Sequence, residues 1–184
     1  MSFPANVERW RKQVENAITL VHTKKPNKKT SQDALGLTNA NLVDIILSLI
    51  ATESAGNELA TGDDGNSVGL MQLNYGAGTP QGEGYTGSKQ NLYDANTNLF
   101  YGVSYFLTQL ARYKNVNEAI LAYNAGSVRL NQEGVPINII YLRKVLSFLE
   151  KKNSVLHSQL LLQLDSLFFT GFTKPRKTKK RVSV

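Results

Sequence analysis

The fold is decided by residues 39–54, NANLVDIILSLIATES. Apolar side chains in this stretch cover more than one face of a helix, which is typical of a helix buried on several sides. We therefore predict a central buried helix that ends near Glu53. Its apolar surroundings are expected to raise the pKa of the Glu53 carboxyl, because burial disfavours the charged form.

Helical spacing of apolar residues recurs on both sides of this stretch, and polar, glycine-rich segments separate the helices. Residues 22–37 and 55–87 are predicted to be loops, with a small β-hairpin around residues 63–66. The expected fold class is one mainly α domain with at most a small β-hairpin. Its other helices are predicted over residues 4–21, 99–110 with a cap at Asp94, 116–123, 136–149 and 155–169.

The net charge of +7 is concentrated at one end of the 184-residue chain. Six positive charges fall in the last eleven residues, so we predict a domain over residues 1–172 and a disordered basic tail over 173–184. Such a tail would contact an anionic wall polymer, a membrane surface or nucleic acid. The six residues are Lys174, Arg176, Lys177, Lys179, Lys180 and Arg181.

Cysteine is absent, which excludes a disulfide framework and a thiolate metal site. His22 and His157 lie far apart without a ligand pattern around them, so no metal and no cofactor is expected. The first ten residues contain no continuous apolar block, and we therefore expect no secretory signal.

Three short strings follow one another along the chain: Glu53-Ser54, GLMQ at residues 69–72 and AYNAG at residues 122–126. With Tyr141 further on, their order and spacing resemble those of the lytic transglycosylase and goose-type lysozyme superfamily, over roughly residues 42–149. The resemblance implies a lysozyme-like fold. It also implies an enzyme that cleaves the β-1,4 bond between N-acetylmuramic acid and N-acetylglucosamine in peptidoglycan.

The resemblance assigns roles to single residues. Glu53 would be the general acid and later the base, a role that needs a carboxylic acid protonated near neutral pH. The substrate-binding residues that it implies are Ser54, Met71, Gln72, Tyr123, Asn124 and Tyr141. Among these, Met71 and Gln72 would line the groove, Tyr123 and Asn124 would hold the sugar or orient the acid, and Tyr141 would reach toward the acid.

The type of reaction depends on a second carboxylate. The segment around Asp63 resembles goose-type lysozymes, in which two aspartates activate water, and Asp63 matches the first of them. Asn74 stands where the second would fall, and an amide takes no proton from water. A lytic transglycosylase that forms a 1,6-anhydro product with Glu53 alone is therefore favoured over a muramidase that uses Glu53 with Asp63. A non-cleaving glycan-binding virion component is the remaining alternative.

A wall-cutting domain without a secretory signal suggests delivery by a phage. We expect a phage-encoded protein that is virion-associated or released from the host cytoplasm to the cell wall. Its partners would be peptidoglycan glycan strands, and it would be a monomer unless it is part of a virion.

Overall fold

The computed structural model describes residues 2–171, apart from the side chain of Phe169, so the predicted basic tail lies outside the described residues. Helices dominate, as the sequence predicts, and the mainly α class is confirmed. They are α1 (Ala5–Glu8), α2 (Arg11–Lys24), α3 (Pro26–Asp33), α4 (Asn39–Glu53), α5 (Thr79–Gly82), α6 (Ala95–Tyr113), α7 (Val116–Ala125), α8 (Ile139–Lys152) and α9 (Ser154–Thr170).

Helix α4 is the predicted central helix. All ten residues from Leu42 to Ala51 are buried, and α2 and α8 pack against it. The Thr38 side chain caps its first turn by accepting a hydrogen bond from the Asn41 amide at 3.1 Å. The helix ends at Glu53, so the Glu53 carboxyl lies at the edge of the core, just after the buried part of the helix.

The N-terminal region differs from the sequence prediction. The single helix expected over residues 4–21 is two helices, α1 and α2, and the Trp10 indole between them donates to the Gly56 carbonyl at 2.9 Å. The loop expected over 22–37 is largely helical, because α2 continues to Lys24 and α3 begins at Pro26. Proline suits a first helical position, and Lys25 separates the two helices with a non-helical backbone (φ −137°, ψ 68°).

A small antiparallel sheet lies where the hairpin is predicted. Its strands β1 (Thr61–Gly62), β2 (Ser67–Val68) and β3 (Leu73–Asn74) pair in sequence order. Because each strand has only two residues, side chains from outside hold the sheet in place. The buried amide of Asn98 in α6 donates to the carbonyls of Val68 and Leu92, both at 2.9 Å, and accepts from the Met71 amide at 2.8 Å.

The last two helices close the domain beside α4 and α7. Helix α8 begins at Ile139 rather than at Pro136, because Pro136 forms an isolated antiparallel bridge with Leu130. Helix α9 directs Leu156, Leu160 and Leu164 into the core. Within residues 2–171, no helix combines the length and the apolar character that a membrane span requires.

Candidate active site

Glu53 lies at the end of α4 with its side chain half-buried and facing a cleft. The hydroxyl of Tyr141, from the first turn of α8, donates a hydrogen bond of 2.5 Å to Glu53 Oε1. The neighbouring Lys144 donates to the carbonyl of Thr52 at 3.2 Å. The carboxyl therefore has one oxygen held by a phenol, while its other oxygen is the one left for a ligand.

Burial raises the pKa of Glu53 from its ordinary 4.5 to about 7. The hydrogen bond from Tyr141 and the positive charge of Lys144 both act to lower this pKa, and the negative charge of Asp63 acts to raise it. Burial outweighs the two opposing effects. At neutral pH a large share of the molecules therefore carries a protonated acid at this position.

The cleft in front of Glu53 has a volume of about 430 Å³. The end of α4 and the small sheet form one part of its wall, and the end of α7 with the following loop forms another. It is lined by Glu53, Asp63, Ser67, Gln72, Leu73, Asn74, Ala77, Thr79, Tyr105, Tyr123, Asn124, Ala125, Gly126 and Arg129.

Asp63 lies on the sheet side of the same cleft. Its Oδ2 atom accepts hydrogen bonds from the Ser67 hydroxyl at 2.5 Å and from the Asn74 amide at 3.3 Å. The Oδ1 atom of Asn74 in turn accepts from the Ala77 amide at 2.7 Å. Asn74 therefore uses both ends of its amide in the wall, and Asp63 is held as an acceptor.

Tyr123 connects the wall formed by α7 to the GLMQ turn. Its hydroxyl donates to the Met71 carbonyl at 2.7 Å, and its ring centroid lies 5.3 Å from that of Tyr105. Burial, with the nearby charge of Glu53, raises the pKa of Tyr123 well above its usual value, so the phenol stays protonated. Tyr123 is only 7% exposed, so a small part of this residue faces the cleft.

Gln72 and Asn124 also line the cleft, as the sequence resemblance implies. Gln72 donates to the carbonyls of Ala60 and Gly69, and its backbone has a left-handed φ of 45°. The Asn124 side chain is exposed, and its Oδ1 atom accepts from Asn138 at 3.0 Å.

Met71 lies outside the cleft lining, which corrects the groove position expected for it, and Ser54, expected among the substrate-binding residues, is also outside the lining. The Met71 side chain is fully buried and packs against Gly102, where a larger residue would collide with it. The left-handed backbone at Gln72 directs the side chains of Met71 and Gln72 to different sides, so that Met71 enters the core while Gln72 lines the cleft. Ser54 is used in the helix end, where its hydroxyl donates to the Ile50 carbonyl and accepts from the Gly56 amide, both at 3.2 Å.

Four polar lining residues were not singled out from the sequence: Ser67, Thr79, Tyr105 and Arg129. Tyr105 carries a polar hydroxyl within the apolar pattern of α6, which only weakly indicates a position beside the cleft. The position of Arg129, three residues past the Gly126 helix stop, is a weak signal for a loop residue beside the site. Within residues 2–171, no group of three or more His, Cys, Asp or Glu side chains is arranged to hold a metal ion.

The mainly α domain with a protonatable glutamate in a cleft is of the lysozyme-like fold class. Comparison with known proteins gives the family. The model of the Transglycosylase SLT domain matches residues 32–135, and the chain belongs to that family.

Known proteins that are similar to this chain include a phage enzyme and a bacterial enzyme of solved structure. A transglycosylase of Enterobacteria phage PRD1 is 36% identical over 87 residues, which make up 47% of this chain and 30% of that protein. The matched part thus spans less than a third of the length of this relative. A solved inactive mutant of the lytic transglycosylase Slt from Pseudomonas aeruginosa is 22% identical, with a TM-score of 0.48, over 77% of this chain and 25% of that one.

Proposed function

We propose that this chain is a peptidoglycan lytic transglycosylase with Glu53 as its acid and base. The observation that carries the proposal is the carboxyl of Glu53, whose pKa lies at about 7 in a cleft of a chain that belongs to the SLT family. A general acid works best when its pKa lies near the working pH. The substrate would be the β-1,4 bond between N-acetylmuramic acid and N-acetylglucosamine.

The hydrogen bond from Tyr141 assigns different tasks to the two oxygens of Glu53. Since the phenol donates to Oε1, we place the acidic proton on Oε2, facing the cleft. This proton passes to the O4 atom of the leaving sugar as the C1–O4 bond breaks, and the N-acetyl carbonyl stabilises the positive charge at C1. The Glu53 carboxylate then takes the proton of the C6 hydroxyl while that oxygen bonds to C1 and closes the 1,6-anhydro ring.

The surroundings of Asp63 favour this outcome over hydrolysis. An inverting hydrolase needs a base that holds a water on the other face of the sugar. Asp63 lines the cleft, which supports a Glu53–Asp63 muramidase as the second candidate, but its Oδ2 atom already accepts from Ser67 and Asn74. Asn74 supplies no second carboxylate. We therefore assign Asp63 to the wall of the cleft rather than to water activation.

Mass spectrometry of the muropeptides released from purified peptidoglycan tests the proposal. Products that end in 1,6-anhydro-N-acetylmuramic acid are expected, whereas reducing-end sugars would support the muramidase with Asp63. Glu53→Gln keeps the shape of the side chain and removes the acid, so release should fall by about 10²- to 10⁴-fold. Glu58→Gln, on the loop after α4, is the matched control and should retain activity. No release by the wild type would favour a glycan-binding role.

We also propose that the protein is phage-encoded and acts on the host wall, either carried in the virion or released at lysis. The similarity to a transglycosylase of phage PRD1 supports this proposal. Detection of the chain in purified virions by mass spectrometry would indicate a carried enzyme. Its presence only in the lysate supernatant would indicate a released one.

A further inference from the structure

The loop after α7 folds into a short hairpin beside the cleft. Leu130 and Pro136 form an antiparallel bridge, and the Ile137 amide donates to the Arg129 carbonyl at 3.0 Å. We call residues 129–137 the cleft hairpin. Its first residue, Arg129, belongs to the cleft lining, so the hairpin continues directly from the wall of the candidate active site.

Hydrogen bonds hold the backbone of the cleft hairpin in place. At its base, the Tyr113 hydroxyl accepts from the Val128 amide at 3.0 Å, and the Arg112 guanidinium donates to the Gly126 carbonyl at 3.2 Å. At its turn, Asn131 Oδ1 accepts from two backbone amides that follow it, at 3.0 and 2.9 Å. The hairpin is therefore positioned beside the cleft before a ligand binds.

Arg129 is the one basic residue among the described residues that line the cleft. Its side chain is exposed, and within residues 2–171 its guanidinium makes no hydrogen bond, ion pair or ring contact. The acids of the lining, Glu53 and Asp63, each have a hydrogen-bond partner. All the N–H donors of the Arg129 guanidinium are therefore available to a ligand.

Ile137 lies next to Arg129 on the same face of the cleft hairpin. The bridge between Leu130 and Pro136 places Arg129 and Ile137 directly opposite each other, and opposite side chains of an antiparallel pair share a face. Ile137 is 54% exposed and is outside the cleft lining. A ligand that leaves the cleft past Arg129 can therefore contact an apolar side chain.

The substituents of peptidoglycan, and not its sugar rings, offer a partner for this cation. The rings of N-acetylglucosamine and N-acetylmuramic acid are uncharged. In a peptide-substituted strand the negative charges are carboxylates of the stem peptide, which is joined to the lactyl group of N-acetylmuramic acid. A guanidinium binds a carboxylate through two parallel hydrogen bonds. The alanine methyl groups of the stem suit an apolar neighbour such as Ile137.

We propose that Arg129 is a specificity-determining residue whose guanidinium binds a carboxylate of the stem peptide, with Ile137 packed against the stem. The stem is the one carried by the N-acetylmuramic acid in the cleft. This inference rests on the proposed function for the identity of the substrate. It makes strands whose stems have free carboxylates better ligands than uncharged glycan.

Binding titrations followed by NMR test this assignment. The charged probe is N-acetylglucosaminyl-N-acetylmuramic acid with an L-alanyl-D-glutamate stem, and the neutral probe is the same compound with both carboxylates amidated. Neither probe contains the bond that the proposed reaction cleaves. Arg129→Gln should raise the Kd for the charged probe by at least about tenfold and leave that for the neutral probe unchanged. Ile137→Ser should raise the Kd for both probes by about threefold.

Matched variants separate the loss of this contact from general damage. Arg143 on α8 is exposed and lies outside the cleft lining, so Arg143→Gln should bind both probes like the wild type. Arg129→Lys keeps the charge without the paired donors, and its Kd for the charged probe should lie between those of the wild type and Arg129→Gln. A tetramer of N-acetylglucosamine should bind the wild type and Arg129→Gln equally. Thermal unfolding checks that each variant is folded.

Three results would overturn the inference. Arg129→Gln could bind the charged probe as well as the wild type does, which would leave Arg129 as a solvated side chain. The variant could lose the same factor for the neutral probe and the tetramer, which would assign Arg129 to the sugars. The wild type could bind the disaccharide without a stem more tightly than the charged probe, which would make the free lactyl carboxylate the partner.

The inference and the proposed function can fail separately. If the wild type forms no anhydro product but its binding of the charged probe depends on Arg129, the stem site stands and the reaction does not. If anhydro products form and Arg129→Gln binds the charged probe normally, the reaction stands and the stem site does not.

Discussion

Two partly buried glutamates in this domain, Glu53 and Glu83, differ in their protonation. Glu53 faces the cleft and accepts a hydrogen bond from one phenol, and its pKa is raised to about 7. The Glu83 side chain, 7% exposed where the loop after α5 meets α6, lies within salt-bridge distance of both Lys25 and Lys28. Burial acts to raise the pKa of Glu83, but the hydroxyls of Ser104 and Thr108 and the charge of Lys28 outweigh it, and the pKa is lowered.

The comparison shows that the hydrogen-bond donors and cations around a buried carboxyl decide whether its pKa is raised or lowered. At neutral pH Glu83, the residue that follows α5, is an anion that joins this end of α5 to α3 and to Lys25 just before α3. Thr79 of α5 lines the cleft. Within residues 2–171 no cation forms a salt bridge with Glu53, and the ammonium of Lys144 donates to the carbonyl of Thr52 instead. Removing the charge from each glutamate should therefore have opposite effects on stability.

The largest expected effect is at Glu83. Glu83→Gln leaves Lys25 and Lys28, with side chains 24% and 11% exposed, without their counter-charge. Breaking a buried ion pair from one side is strongly destabilising, and we expect the free energy of unfolding to fall by about 3 kcal/mol. Urea unfolding at pH 7 measures this. Glu150→Gln, at an exposed position on α8, is the control and should change little.

Glu53→Gln should stabilise the protein at alkaline pH. The folded-state pKa of about 7 is above the ordinary 4.5, so the stability that Glu53 contributes is fully present below about pH 4.5 and is lost as pH rises through 7. Glutamine does not titrate. A rise from 4.5 to about 7 corresponds to at most about 3 kcal/mol, and partial exposure of the side chain reduces this, so the variant should be about 2 kcal/mol more stable than the wild type at pH 8 and within about 1 kcal/mol of it at pH 5. Equal stability at pH 8 would mean that burial costs the Glu53 carboxylate little.

The smallest effects are shifts in the pH dependence of glycan cleavage. Because the proposed reaction needs a protonated Glu53, kcat/KM should fall as pH rises through the pKa of this carboxyl. Tyr141→Phe removes a hydrogen bond that lowers this pKa, so the alkaline limb should move to higher pH. Asp63→Asn removes a charge that raises it, so that limb should move to lower pH, by less. If both variants moved the limb in the same direction, this assignment of partners would be wrong.

The sequence predicts the burial of the Glu53 carboxyl but not the ion pairs of Glu83, and the reason is physical. The apolar pattern that ends at Glu53 is local, so both the buried helix and its acid can be read from consecutive residues. The ion pairs of Glu83 join positions 55 and 58 residues apart, and the local pattern around Lys25 and Lys28 indicates only a polar loop. Long-range pairs leave no periodic signal.

The same distinction applies within the cleft. The resemblance of the motif strings implies that Gln72, Tyr123 and Asn124 lie at the cleft. A motif string does not, however, specify the direction in which each side chain points. The left-handed backbone at Gln72 turns Met71 into the core, and only the packing against Gly102 makes that visible. Tyr105 and Arg129 join the lining through the arrangement of whole helices and loops.

The three hydrogen bonds of Asn98 have a consequence for local motion. The strand that precedes Asp63 and the strand that ends at Asn74 have only two residues each, and the side chain of Asn98 joins this wall of the cleft to α6. Hydrogen exchange at the Met71 amide therefore reports the opening of the first turns of α6, not the fraying of a two-residue strand. We therefore expect this wall of the cleft to open together with the first turns of α6, although it has almost no regular structure of its own.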